Sequence, residues 1–117
     1  MNVHRYRFAL IAERMELGDK TQFVATGAAL LSSPAWIQMV CDVLGRPVIA
    51  SEEPEASSHG AGLLALEVLG LLPELAQAPF DYGRVFEPNP DRRETYRAAR
   101  RRQAELYDRL VRDPLAA

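Results

Sequence analysis

Apolar positions recur at helical spacing in three stretches and gather into short unbroken runs in two others. Val3, Tyr6, Ala9 and Leu10, set between polar flanks, predict a helix over residues 3–16 that Leu17-Gly18-Asp19 ends. No Ser, Thr or Asp precedes that pattern as a cap, so the chain reads as starting inside a larger domain. Lys20 to Thr26 predicts a short buried strand, followed by Gly27, where the chain can turn sharply or lie close to a ligand. Ser33-Pro34 supplies a cap and a first helical residue, and Trp36, Met39, Val40, Val43 and Leu44 then repeat with the helical period until Gly45. Trp36 could stack on a base, but its spacing with Met39 and Val40 reads as core. Arg46 to Ala50 predicts a second strand, which Pro47 restricts to a sheet edge or to its own first positions.

An acidic loop, Glu52 to Glu55, leads into Ala61 to Leu69, a Gly-, Ala- and Leu-rich helix whose only charge is Glu67 and which is expected to be covered on most sides. Pro73, Pro79, Gly83 and Pro88 punctuate residues 70–88, which read as a surface loop. Asn89-Pro90 then opens a long C-terminal helix, residues 89–113, with Tyr96, Ala99, Gln103, Leu106 and Leu110 on one face and arginines crowding the others. The order helix, strand, helix, strand, helix, helix describes an α/β piece with a small sheet flanked by helices, without internal repeats.

At 117 residues and 13.1 kDa the chain has room for one domain, residues 1–117. Its 48% hydrophobic and 26% charged composition excludes a disordered or collagen-like chain. The formal charge of −2 conceals an asymmetry: residues 21–90 hold 2 basic and 8 acidic groups, residues 91–117 hold 8 arginines and 5 acids. A single cysteine, Cys41, excludes an internal disulfide and suits a reducing compartment. Apolar runs are too short to cross a membrane and no secretory leader is recognisable, so a cytoplasmic location and no membrane partner are expected.

Little of the familiar catalytic vocabulary is present. One Cys and two distant histidines, His4 and His59, make no metal cluster, and neither a G-x-S-x-G elbow nor a P-loop occurs. Glu52, Glu53 and Glu55 read as solvated loop carboxylates. The arginine-rich helix reads as a solvated or protein-contacting face and not as a nucleic-acid binder, because acids are interleaved and Lys is scarce. The turn Thr26-Gly27-Ala28-Ala29, with Ser32 and Ser33 beyond it, is either a packing turn or a backbone-lined contact for an anion. His59, beside Gly60, is either a surface or capping residue or a contact to a ligand phosphate or hydroxyl.

Four motifs taken in order are more specific: Ala25-Thr26-Gly27-Ala28-Ala29-Leu30, Ser33-Pro34-Ala35-Trp36-Ile37-Gln38-Met39, Asp42-Val43-Leu44-Gly45-Arg46-Pro47-Val48, and Glu55 through Ala65. Together they resemble the C-terminal domain of the FGGY carbohydrate kinases, the group of glycerol, xylulose and gluconate kinases, over roughly residues 3–112. The resemblance implies part of an actin-like ATPase (ribonuclease H-like) domain. It implies ATP and Mg²⁺ as cofactors, a nucleotide contact at Thr26, Gly27, Ala28 and Ser33, and secondary contacts at Gln38, His59 and Gly60. Where the family has a second glycine this sequence has Ala28, and the family's Gly-Ala-Ala becomes Gly60-Ala61-Gly62. No residue here matches the family's catalytic Asp, which lies upstream with most of the sugar pocket. The expectation is therefore a C-terminal fragment of a sugar or polyol kinase, inactive alone, that holds part of a nucleotide site. It would pair with an upstream kinase half or with itself, and meet carbohydrate only in a complete enzyme.

Overall fold

The computed structural model describes residues 4–112. It contains α1 (His4–Arg14), β1 (Phe23–Ala25), α2 (Ala28–Leu31), α3 (Pro34–Leu44), β2 (Val48–Ser51), α4 (Ala56–Val68), β3 (Tyr82–Phe86) and α5 (Arg93–Tyr107), which continues as a π-helical turn over Asp108–Arg112. The arrangement is mixed α/β, a three-stranded sheet flanked by helices, with strand order β1-β2-β3. β1 and β2 are parallel, joined by α2 and α3, and β3 runs antiparallel along the other side of β2.

The best local signals govern the best-formed element. Ser33 caps α3, its Oγ accepting from the Trp36 amide at 3.4 Å, Pro34 takes the first helical position, and Gly45 closes the helix with φ 66°. Amphipathicity then fixes its orientation: Ile37 and Cys41 pack with Ala25, Val48 and Phe86 from all three strands. A second cluster forms where Val43 of α3 meets Ala9 of α1, with Leu44, Tyr96 and Ala99 around it, so α1 and α5 are both fastened to α3. Trp36 is half-buried rather than central, and Val3 of the first predicted helix lies outside the described residues, as does residue 113 of the last.

Several expectations fail for identifiable reasons. Residues 70–88 are not all loop, because Tyr82–Phe86 forms β3. Its register against β2 shifts between Ile49 and Ser51, and this irregularity spoils the two-residue alternation that would have marked a strand. β1 is shorter than Lys20 to Thr26 and only one side of it is buried: Ala25 faces the core, while Val24 is exposed. Ile49 and Val85 stand in register with Val24, so the second face of the sheet carries an apolar row in which Val24 and Val85 are exposed and Ile49 is half-buried.

Helix α4 departs further from expectation. It begins at Ala56, not Ala61, since Pro54 lies ahead of it and Glu55 takes the N-cap position. None of its residues is buried, and its main contact is the short turn Leu75–Gln77. Leu64, Leu66, Val68 and Leu69 are all exposed. A helix this apolar all round is normally enclosed, so α4 projects a surface suited to burial. The dimensions agree: the radius of gyration is 17.6 Å, against about 13–14 Å for a compact domain of this length.

Candidate functional site

Parallel pairing of β1 with β2 brings their carboxyl ends to one edge of the sheet, the place where open α/β sheets bind ligands. From β1 comes Thr26-Gly27-Ala28 and from β2 the acidic turn Glu52 to Glu55 with the first turns of α4. Gly27 and the acidic turn, far apart in the chain, thereby share an edge.

Gly27 holds φ 90° and ψ 136°, a conformation open to glycine and strained for any other residue. A Cβ placed there would meet nothing within 4 Å. The glycine is thus required by the backbone turn, and the space above it is free for an approaching molecule. Thr26, Gly27 and Ala28 are all exposed. Leu30 and Leu31 donate their amides to the Gly27 carbonyl at 3.2 and 3.0 Å, which leaves the amides at the start of α2 without an intrahelical acceptor. Ser33 is half-buried and its hydroxyl is engaged in capping α3.

Across the edge, His59 Nδ1 lies 3.0 Å from Glu53 Oε2. Glu53 also accepts from the Glu55 amide at 2.9 Å, and its own amide donates to Ser51 Oγ at 3.0 Å. The acidic turn is therefore an ordered cap on β2, and His59 belongs to it. Gly60 sits inside α4 with open space around it. Gln38 stands apart from this edge: its Nε2 donates to Asp42 Oδ1 and to the Glu87 carbonyl, both at 2.8 Å, beside the end of β3.

Sequence patterns alone assign no chemical role to Asp42. Its carboxylate is fully enclosed and accepts from Gln38 and from the Asn89 amide at 2.8 Å, with Arg92 Nη1 3.4 Å from Oδ2. It anchors the start of the C-terminal helical segment to α3. The available signal was the i, i+4 spacing of Gln38 and Asp42, a pairing that hydrogen-bonds along a helix.

Cys41 is fully buried, its Sγ 3.1 Å from the Phe86 carbonyl and 3.2 Å from that of Arg46. Burial, and then the neighbouring Asp42 charge, push its thiol up from 9.0 to about 11. A thiol held protonated is no nucleophile. Iodoacetamide at pH 8 is expected to label Cys41 at least about a hundredfold more slowly in the native chain than in urea. Because the folded value lies above the unfolded one, the thiol's contribution to stability is complete below pH 9 and is lost as pH rises from 9 towards 11. Denaturation midpoints across that window should fall in the wild type and fall less in Cys41→Ala.

Among the described residues no group of three His, Cys, Asp or Glu side chains could hold a metal ion. Nor is any helix among them long and apolar enough to cross a membrane. Two concave spaces lie away from the Gly27 edge, a groove of about 780 Å³ between α1 and α5 and a smaller one of about 180 Å³ beside Arg46.

No model of a known protein family matches the chain. Solved structures do resemble it. With xylulose kinase from Lactobacillus acidophilus, solved with a bound ligand, the TM-score is 0.77 at 22% identity, over 91% of this chain. Gluconate kinase from the same organism gives 0.76 at 22% identity over 91%, and xylulose kinase from Rhodospirillum rubrum 0.66 at 27% over 88%. The chain spans 22% of the length of each. What these identities establish is a shared fold with one portion of such kinases, the sugar-kinase type that the sequence motifs resemble.

Proposed function

We propose that this chain is the C-terminal portion of an ATP-dependent sugar or polyol kinase and provides one side of its nucleotide site, at Thr26-Gly27-Ala28. The observation that carries this reading is Gly27: a φ of 90° at the carboxyl end of a parallel strand, with open space where a side chain would stand. Backbone N–H groups at such a turn attract phosphate oxygens through their partial positive charge. The fold shared with kinase structures about four times as long supports it, as does the exposed apolar surface of α4 and of Val24 and Val85 on the sheet, which the rest of a kinase would bury.

The residues present suit the phosphates of a nucleotide and not its metal. Gly27 and Ala28 would admit a phosphate against main chain, and Thr26 Oγ1 offers a hydroxyl beside it. His59 and Glu53, held together at 3.0 Å in the turn after β2, would order the far side of that site. Mg²⁺, where bound, neutralises charge on the transferring phosphoryl group. No group of three His, Cys, Asp or Glu side chains that could hold it is found among the described residues, and in a complete kinase its ligands and the base that takes the proton from the sugar hydroxyl would come from other chain.

Calorimetric titration of Mg·ATP is expected to show weak binding that drops about tenfold in Gly27→Asp and in Ala28→Asp, each of which sets a carboxylate where a phosphate would lie. Ala28→Asp is the cleaner variant: residue 28 is exposed in the first turn of α2, where an acid is tolerated and no positive φ is required. ATP- and sugar-dependent ADP formation by the purified chain alone would overturn the half-site reading.

A second reading is favoured by α4 itself. Its exposed leucines fit a non-catalytic chain that self-associates or complements an upstream polypeptide. Sedimentation separates the two: a concentration-dependent dimer without nucleotide binding would favour this alternative.

A further inference from the structure

The groove between α1 and α5 is built from elements that contribute nothing to the Gly27 edge, and its chemistry is different. Arg7, Arg14, Arg97, Arg100, Arg101 and Arg112 line it against only two carboxylates, Glu13 and Asp108, in a chain whose net charge is −2. Local pairing leaves much of that charge unneutralised. Arg100 is matched by Glu13, and Arg112 lies 3.7 Å from Asp108. Arg97 and Arg101 share the single carboxylate of Glu94 at 3.9 and 3.4 Å, and both remain mostly exposed. Arg14 has no charged partner among the described residues. Like charges at i and i+4, as with Arg97 and Arg101, weaken a helix, and guanidinium groups cannot relieve the strain by losing a proton. A multivalent anion would relieve it.

We infer that this groove binds a small organic polyphosphate. Arginine forks match phosphate oxygens two at a time, and a concave surface of one sign concentrates its field on a ligand of the other. The Arg7 guanidinium lies 4.8 Å from the centre of the Tyr107 ring, joining α1 to α5 across the groove. Leu10, Ile11 and Ala104 supply apolar lining beside the charge. A volume near 780 Å³ suits a molecule of nucleotide size with an apolar or planar part as well as its phosphates. A duplex nucleic acid would need a basic track extending beyond the groove, whereas residues 21–90 hold 8 acidic groups and 2 basic ones.

The test is titration of inorganic tripolyphosphate, without Mg²⁺, into the full chain at low salt, about 20 mM. Binding is expected, weakened at least about tenfold by Arg14→Gln combined with Arg97→Gln and retained in Ala28→Asp, which removes only what the Gly27 turn would hold. Arg14 and Arg97 are exposed and Arg100, which holds Glu13, is left intact, so the double variant should keep the wild-type melting temperature; Arg101→Gln provides an independent variant on the same wall. Absence of binding at low salt, or equal binding by the double variant, would overturn the inference. So would a DNA duplex that displaces tripolyphosphate at lower phosphate concentration, which would assign the arginines to nucleic acid. Loss of tripolyphosphate binding in Ala28→Asp would place the anion at the Gly27 edge instead and also overturn it.

Discussion

Replacing Asp42 with Ala should lower the free energy of unfolding by about 3 kcal/mol, read as a fall in the urea midpoint at unchanged slope. The substitution removes the charged acceptor of two short hydrogen bonds, from Gln38 Nε2 and the Asn89 amide, both at 2.8 Å. Bonds of that kind contribute about 1.5–3 kcal/mol each. The Arg92 ion pair adds little, since its guanidinium is 3.4 Å away and more than half exposed. Removing the carboxylate also removes the cost of burying it, which holds the total below the sum of its parts. Asp42→Asn keeps an acceptor oxygen and should lose roughly half as much. A change under about 1 kcal/mol in Asp42→Ala would mean that the start of the C-terminal helical segment is held by apolar packing alone.

Gly83→Val is expected to cost about 2–3 kcal/mol and to loosen β3 from the sheet. A Cβ at this position would lie 2.8 Å from the Ala50 carbonyl oxygen and 2.9 Å from Glu52 Cγ. The exposed Glu52 side chain can swing aside. Ala50 cannot, because it sits in the central strand paired with Ala25. The glycine is therefore what lets β3 pass the register shift opposite Ile49 and Ser51. Hydrogen exchange should report the change locally, with faster exchange of the β3 amides than of those in β1. Wild-type protection throughout β3 in the variant would show that the strand can move away without penalty.

These two positions also show how far the sequence alone was legible. The α3 boundaries were legible because Ser33-Pro34 and Gly45 act locally through capping and a positive φ, independent of anything distant. Gly27 was legible for the same reason. β3 was not, because Gly83 has a role only in relation to Ala50, more than thirty residues away in the chain. The four motifs conveyed the fold, and the kinase structures share it. The exposure of α4 was illegible in another way: its apolar composition suits an enclosed helix, and composition does not say whether the same chain encloses it. Of the candidate site, the shared edge of Gly27 and the acidic turn follows from parallel pairing of β1 with β2, which periodicity cannot specify. For Gln38 the family resemblance implies a ligand contact, whereas its amide is committed to Asp42 and Glu87.

The reading that matters most is that nucleotide meets this chain at the Gly27 turn. Calorimetry counts binding without locating it, and the arginine groove offers phosphates a second destination. The decisive measurement is a series of ¹⁵N–¹H correlation spectra of the full chain titrated with Mg·ATP. Amide shifts centred on Thr26, Gly27, Ala28 and Ala29, extending to His59 and absent in Ala28→Asp, are the expected result. Shifts confined to α1 and α5, or no shifts at all, would contradict a nucleotide half-site on this chain.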